Sequence, residues 1–367
     1  MALLPRFIDE FMSIFLRYHK KRIYRSSVVF LGMVSLTITS LAFGETCEGD
    51  KLVLPDAATL SSVQSSANAG DAHAQAQMGV IYLRGKGVTL DTAEGLSWLE
   101  KSAAGGSSEG QYLLAEYYSI SGKTEDSLHK AVRLFKQSAE NGCIPALFAL
   151  GGLTKNGKGV PKNTEVGVQM ISKAAESGYA RAQSWFGIML ITGDGVTKDT
   201  KTGFEWVKRA TSSGDSADEL VLATLYLEGT GTPPNPDAAR NLLESVYAKK
   251  DEQAPMAAYY LGWMYMEGKG VPIDTVKAFT WMIVAANSNV SDSVQRLKTL
   301  TEQLPKQKLI KSCNAYMDPL FETNGAKEFA HLSEGEIVAV LKTGNTLDTV
   351  YFPGRKFVGF ILRQCLN

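Results

Sequence analysis

Two short stretches of the chain match patterns that serine enzymes use. Residues 106–110 (Gly-Ser-Ser-Glu-Gly) fit the Gly-x-Ser-x-Gly pattern, in which a strained turn between a strand and a helix exposes a nucleophilic serine. Ser127 and Lys130, together with residues 342–344 (Lys-Thr-Gly), are spaced as in penicillin-recognising serine enzymes. No Ser-Asp-Asn stretch accompanies the second pattern, and Gly106 falls on a repeat spacing, so both stretches favour a structural interpretation.

Metal and redox chemistry have little support in the histidines and cysteines. The four histidines, at positions 19, 73, 129 and 331, have no partner at metal-ligand spacing, so we expect no metal and no cofactor. The cysteines Cys47, Cys143, Cys313 and Cys365 are too widely spaced for a metal site or a redox pair. Two alternatives remain open, a disulfide between Cys313 and Cys365 or four buried free thiols.

The N-terminal segment has the order of an export signal. Five basic residues between Arg17 and Arg25 precede an uncharged stretch at residues 26–43, which ends in small residues around Phe43. We predict a signal peptide or an uncleaved signal anchor at residues 1–44 and a linker at 45–65. Because the basic flank stays in the cytoplasm, the remainder is predicted to be periplasmic or otherwise extracytoplasmic.

Charge and composition argue against a nucleic-acid-binding protein and against a protein with several membrane spans. Hydrophobic residues make up 44% and charged residues 21% of the 367 residues, which is typical of a folded soluble protein. The formal net charge is zero, and the excess of basic residues is confined to the N-terminal segment. We therefore expect no nucleic-acid partner, and membrane contact only through the N-terminal segment if it is uncleaved.

Glycine and small residues recur with a fixed period. Five glycines follow one another at intervals of 36 residues: Gly70, Gly106, Gly142, Gly178 and Gly214. Nine residues after each glycine lies a small residue, and a sixth copy follows with an extra three residues: Gly79, Ala115, Gly151, Gly187, Ala223 and Gly262. Such a period indicates a stack of repeats in which each unit buries its apolar face against its neighbours.

Each repeat reads as two helices joined by a Gly-x-Gly turn. The turn favours a helix end because glycine adopts positive φ without steric cost. The second helix is predicted to begin after a capping residue, at Asp91, Asn163, Asp199 or Asp274. Repeat two lacks the Gly-x-Gly turn, and repeat five carries three prolines at the corresponding place.

The repeat motif resembles the Sel-1-like repeat, a relative of the tetratricopeptide repeat. Its pattern is clearest in two copies, which run from Ala74 through Gly79 to Trp98 and from Ala257 through Gly262 to Trp281. The resemblance implies an all-α, right-handed superhelical solenoid with six repeats at residues 66–290. We further predict a capping helical segment at 291–317 and a tail at 318–367, with a possible hairpin around residues 353–355.

A helical wheel divides the first helix of each repeat into two arcs. Positions −5, −1, 0 and +3 from the central small residue share the predicted core arc, and positions −6, −3, +1, +4 and +5 share an arc that in such solenoids lines a concave groove. The predicted partner-binding residues are Tyr112, Glu116, Phe148, Arg181, Ile188, Tyr259, Trp263 and Met266. Alternatively, the capping segment covers the last three of them.

The resemblance implies a protein-binding function and no catalysis. Similar bacterial proteins act in envelope signalling, in secretion machinery or as immunity proteins that neutralise a toxin. The leading prediction is therefore an exported interaction scaffold or adaptor that binds another protein. A β-lactam-hydrolysing or penicillin-recognising enzyme is the alternative, although the paired cysteines of the corresponding cysteine-rich branch are missing here. A structural adaptor associated with the cell wall is the third hypothesis.

Overall fold

A computed structural model describes residue 47, residues 59–121 and 124–288, residues 290, 293 and 296, and the backbone of six strands between 306 and 362. Thirteen α-helices lie in the described part of the chain. They are α1 Leu60–Asn68, α2 Ala72–Arg84, α3 Thr92–Ala104, α4 Ser108–Ser121, α5 Glu125–Glu140, α6 Ile144–Asn156, α7 Thr164–Glu176, α8 Ala180–Thr192, α9 Thr200–Ala210, α10 Ser216–Glu228, α11 Pro236–Ala248, α12 Ala254–Glu267 and α13 Thr275–Asn287. A 3₁₀ turn at Thr211–Ser213 follows α9.

The helices pair as the 36-residue period predicts. The even-numbered helices α2 to α12 are the first helices of six repeats, and the odd-numbered helices α3 to α13 are the second. The chain forms two compact units, one made of residues 1–186 and 194–197 and the other of residues 187–193 and 198–367. The predicted six-repeat helical solenoid is therefore confirmed at the level of its repeats.

Helix starts and stops follow the predicted capping chemistry. The side chains of Asp91, Asn163, Asp199 and Asp274 each accept a hydrogen bond from a backbone N–H in the first turn of the helix that follows, at 3.0, 3.0, 3.1 and 3.0 Å. The first helices end at left-handed glycines, and Gly229 of repeat five has φ 70° like the others, so its prolines do not change the turn. The corresponding turn of repeat two, at residues 122–123, lies outside the described residues.

The two helices of a repeat touch through small residues on both sides. Sequence reasoning found the first series, and the structure shows a second series sixteen residues further along in every repeat: Gly95, Ala131, Gly167, Gly203, Ala239 and Ala278. In repeat four, a Cβ atom on Gly187 would lie 2.7 Å from the carbonyl oxygen of Gly203. The paired glycines therefore permit backbone contact between the helices that no larger residue would allow.

The C-terminal part forms a six-stranded antiparallel sheet. Its strands are β1 Lys306–Lys308, β2 Cys313–Tyr316, β3 Glu328–Leu332, β4 Ile337–Lys342, β5 Leu347–Phe352 and β6 Phe357–Leu362. Their order across the sheet is β1-β4-β5-β6-β2-β3. Strands β4 and β6 contact α13, so a sheet covers the end of the repeat array. The predicted hairpin is confirmed by the β5–β6 pair, in which Phe352 lies opposite Phe357.

The capping segment is helical only in part. Residues 293 and 296 are helical, but the two strands β1 and β2 occupy positions 306–308 and 313–316, so the prediction of helix up to residue 317 is wrong there. Pro305 directly precedes β1 in the sequence, and proline cannot continue a helix. Strand β1 pairs with β4, where Lys306 lies opposite Ala339. Because the two strands are distant in the sequence, the local residue pattern around β1 does not predict this strand.

A disulfide joins Cys47 to Cys143 across 96 residues of chain. The alternative of four free thiols is therefore wrong. No local spacing signals this pair, because the two cysteines meet only where the chain before α1 returns to the start of repeat three. The predicted bridge between Cys313 and Cys365 involves side chains outside the described residues and stays a prediction.

None of the described helices is both long enough and apolar enough to cross a bilayer. The predicted signal segment at residues 1–44 lies outside the described part of the chain.

Candidate aromatic binding surface

Three aromatic side chains gather between α6 and α8 in the first unit. Phe148 lies in the second turn of α6, Tyr179 directly precedes α8, and Trp185 lies in the second turn of α8. The ring centroids of Phe148 and Tyr179 are 5.6 Å apart with an edge-to-face angle of 66°, and those of Phe148 and Trp185 are 6.4 Å apart. All three side chains are half-buried. With Arg181 of α8, also half-buried, they form what we call the α6–α8 aromatic surface.

The geometry of this surface suits an apolar or aromatic side chain. Phe148 contacts Tyr179 edge-to-face and Trp185 at a tilted angle of 57°, and part of each ring stays accessible to solvent. Lys155 lies seven residues after Phe148 on the same side of α6, and its ammonium group contacts the carboxylate of Asp194 at 2.8 Å. Aromatic rings with a charged boundary are the composition found at the centre of protein interfaces.

Three of the predicted groove residues are buried instead of accessible. The exposed fraction is 2% for Tyr112, 6% for Ile188 and 5% for Tyr259, so the expectation that repeat packing leaves them free is wrong. Tyr112 packs on Phe135 of α5 with ring centroids 5.8 Å apart, and its hydroxyl donates to Glu116 Oε1 at 2.8 Å. The first helices are in contact with helices on several sides, which buries a wider arc than the wheel assigned to the core.

Repeat six shows the same effect most clearly. The side chains of Ala257 to Met264 on α12 are buried, with the single exception of Trp263. A helix that is apolar on all sides is a buried helix, so the composition of α12 already carried this signal. The Nε of Arg296 donates to the hydroxyl of Tyr259 at 2.9 Å, which confirms for Tyr259 the alternative that the segment after Val290 covers it.

The remaining predicted residues keep part of their surface. Glu116, Phe148, Arg181, Trp263 and Met266 are half-buried, and their role in partner binding stays a prediction. The ammonium group of Lys269 lies 5.9 Å from the ring centroid of Trp263, a weak cation–π contact. Sequence reasoning missed Tyr179 and Trp185. The signal for Tyr179 was an aromatic residue at the position where repeats one, two and five hold the polar caps Asp71, Ser107 and Asp215.

Both serine patterns lie in helical surroundings. The serine of the Gly-x-Ser-x-Gly pattern, Ser108, is the first residue of α4, and its neighbour Ser107 caps the helix, because Ser107 Oγ accepts the backbone N–H of Gly110 at 3.1 Å. The hydroxyl of Ser127 is 2.9 Å from that of Thr124, the residue that caps α5. Lys130 Nζ pairs with Asp126 at 2.9 Å. These contacts give the serines structural roles at helix starts, as the repeat spacing indicated.

The described residues contain no cluster of side chains suited to hold a metal ion. No group of three His, Cys, Asp or Glu side chains is placed there to hold a metal ion. Burial raises the pKa of the Tyr118 hydroxyl, and the carboxylate of Glu100, 3.4 Å away, raises it further. Burial also raises the pKa of Glu228, partly offset by a hydrogen bond from Thr230.

Comparison with known proteins identifies the repeat. The model of the Sel1 repeat matches six segments that together cover more than half of the chain: residues 72–107, 108–143, 144–179, 180–215, 219–249 and 255–290. A search of curated proteins finds no match.

Two solved structures resemble the chain over most of its length. A Sel1 repeat protein from Oxalobacter formigenes is 28% identical, with a TM-score of 0.55, over 69% of this chain and 72% of that one. A protective antigen of uropathogenic Escherichia coli with the same repeat fold is 25% identical, also with a TM-score of 0.55, over 66% of this chain. The chain spans about half of the antigen, 52% of its length.

Proposed function

Because the chain belongs to the Sel1 repeat family, whose members are protein-interaction scaffolds, we propose that it is an exported scaffold that binds a partner protein through the α6–α8 aromatic surface. The observation that carries this proposal is the half-buried group of Phe148, Tyr179 and Trp185. The apolar groups of the repeat core are buried, whereas these rings keep accessible area beside the half-buried Arg181. Aromatic and arginine side chains are the residues that most often dominate binding energy at interfaces.

The partner is expected to insert an apolar or aromatic side chain between these rings. The accessible part of each ring removes apolar area from water on binding, and an edge-to-face contact adds about 0.5–1.5 kcal/mol per aromatic pair. The boundary near Lys155 and Asp194 is an ion pair that water screens, so it contributes to orientation more than to affinity. We therefore expect the three aromatic rings to contribute most of the binding affinity for the partner.

Export is the second part of the proposal. The basic and apolar order of residues 17–43 supports it, and so does the Cys47–Cys143 disulfide, because disulfides persist in oxidising compartments. An alkaline phosphatase fusion at the C-terminus should be active, since that enzyme folds only outside the cytoplasm. An inactive fusion accompanied by an active cytoplasmic reporter would refute the export of residues 45–367.

The identity of the partner would distinguish between the three cellular roles that we consider. Envelope signalling, secretion and toxin immunity each predict a different class of partner for the α6–α8 aromatic surface. Capture of a membrane sensor would favour signalling, a component of a secretion apparatus would favour secretion, and a toxin encoded beside this chain would favour immunity.

The binding surface is tested with matched variants after the partner has been captured by pull-down and identified by mass spectrometry. Phe148→Ala and Trp185→Ala should each weaken the measured affinity by about thirtyfold, or about 2 kcal/mol, as for a central aromatic anchor. The control is Leu90→Ala, because Leu90 is a large apolar residue that is 51% exposed in the turn of repeat one. Unchanged affinity in both aromatic variants would assign binding to another surface.

A further inference from the structure

The start of α6 is held differently from the starts of the equivalent helices in repeats one, two and five. The side chains of Asp71, Ser107 and Asp215 accept a backbone N–H in the first turns of α2, α4 and α10, at 2.7, 3.1 and 2.7 Å. The capping position of α6 is Cys143, which makes no side-chain hydrogen bond to the helix. Its sulfur is bonded to Cys47 instead. The disulfide thus occupies the position where repeats one, two and five use a capping side chain.

Cys47 is built into the protein interior at this point. It is 7% exposed and belongs to one buried cluster with Leu114 of α4 and Ala146 of α6. Its sulfur lies 3.9 Å from the carbonyl oxygen of Ser108, the first residue of α4. Cys143 has no exposed surface. Breaking the disulfide would release residue 47 from this cluster and leave the first turn of α6 without either a covalent anchor or a capping side chain.

The same first turn supports the aromatic surface. Phe148 lies five residues after Cys143, and its ring meets Tyr179 and Trp185. Fraying of residues 144–147 would remove the backbone support that sets the position of the Phe148 ring. The oxidation state of the cysteine pair and the geometry of the aromatic surface are therefore linked through less than two turns of one helix.

We propose that the Cys47–Cys143 disulfide is a redox switch that orders the start of α6 and thereby makes the α6–α8 aromatic surface competent for binding only after export. The ordering of α6 stands on the contacts above, whereas the consequence for binding rests on the proposed function. In the exported compartment a protein disulfide donor oxidises the two cysteine thiols, and two electrons and two protons pass to the donor, which becomes a dithiol. A dithiol reductant reverses the exchange and is itself oxidised to a cyclic disulfide.

The test measures hydrogen exchange of the full chain by mass spectrometry, before and after reduction with a dithiol under native conditions. Reduction should speed exchange at the amides of Leu147 and Phe148 about fivefold to tenfold, because the first turn of α6 loses its covalent anchor. Exchange at α2 should be unchanged, because Asp71 caps that helix without help from a cysteine. Peptide mapping of the oxidised chain should recover Cys47 linked to Cys143.

The double variant Cys47→Ala/Cys143→Ala is the matched control, since its exchange should already be fast at Leu147 and Phe148 and insensitive to the dithiol. Slow exchange at these residues in the reduced protein would overturn the proposal, and so would absence of the linked peptide. A uniform loss of protection in all helices would also overturn it, because the disulfide would then be a general staple. None of these readouts uses the partner, so failure of the switch is distinguishable from failure of the proposed function.

Discussion

Two glycines of repeat three should respond in opposite directions to the same substitution. A Cβ atom added at Gly167 of α7 would lie 2.5 Å from the backbone nitrogen of Lys155 and 2.6 Å from the carbonyl oxygen of Gly151, both on α6. A Cβ atom at Gly152, also on α6, would have no neighbouring atom within 4 Å. Both glycines are helical, so the gain in helix propensity from alanine is the same at each position.

The expected magnitudes follow from these distances. Overpacking costs about 1–3 kcal/mol, and contacts with a neighbouring backbone place Gly167→Ala in the upper half of that range because a backbone cannot rotate away. The propensity gain of about 1 kcal/mol offsets part of the cost, which leaves a net loss of about 1–2 kcal/mol. Gly152→Ala keeps only the gain, about 0.5–1 kcal/mol. At about 2–4 °C per kcal/mol, the two midpoints should move apart by about 3–12 °C.

The assay is thermal and urea unfolding of the two single variants and the unsubstituted chain, followed by circular dichroism at a helical wavelength. Gly167→Ala should unfold earlier and Gly152→Ala later than the unsubstituted chain. A midpoint for Gly167→Ala equal to or above that of the unsubstituted chain would show that α6 and α7 are not in backbone contact. Shifts of the same sign in both variants would show that helix propensity or the unfolded state dominates, and would refute the packing argument.

Two further predictions concern burial. Tyr112→Ala should lower the free energy of unfolding by about 3–5 kcal/mol, because Tyr112 is a buried core residue that packs against Phe135. Urea unfolding measures this change, and a loss below about 1 kcal/mol would show that Tyr112 is not a core residue. Glu228→Gln should raise stability near about pH 7 and have a smaller effect near about pH 4. Burial raises the folded-state pKa of Glu228 above its unfolded value, so the folded state binds the proton more tightly and the destabilisation by the charged form disappears as pH falls through that pKa. Urea midpoints at the two pH values measure the difference, and a stabilisation that is independent of pH would exclude titration as its cause.

The repeat period could be predicted from the sequence because the residues that end and start the helices recur with that period. In every repeat but the second, whose turn lies outside the described residues, a glycine with positive φ ends the first helix. A carboxylate or amide such as Asp91 or Asn163 starts the second helix, so these boundaries depend on a few neighbouring residues. The small residues recur with the same period because the two helices of each repeat pack closely at these positions. The hairpin of β5 and β6 was predictable as well, since it joins two apolar runs across a short turn.

Other features required the tertiary structure, because they join residues that no local pattern connects. The burial of Tyr112 and Tyr259 depends on how many neighbours surround a first helix, and a wheel of one helix cannot count them. Strand β1 is defined by its pairing with β4, and the disulfide by the return of the chain from Cys47 to Cys143. The aromatic surface likewise combines Phe148 of one repeat with Trp185 of the next, so its position is a property of the stack.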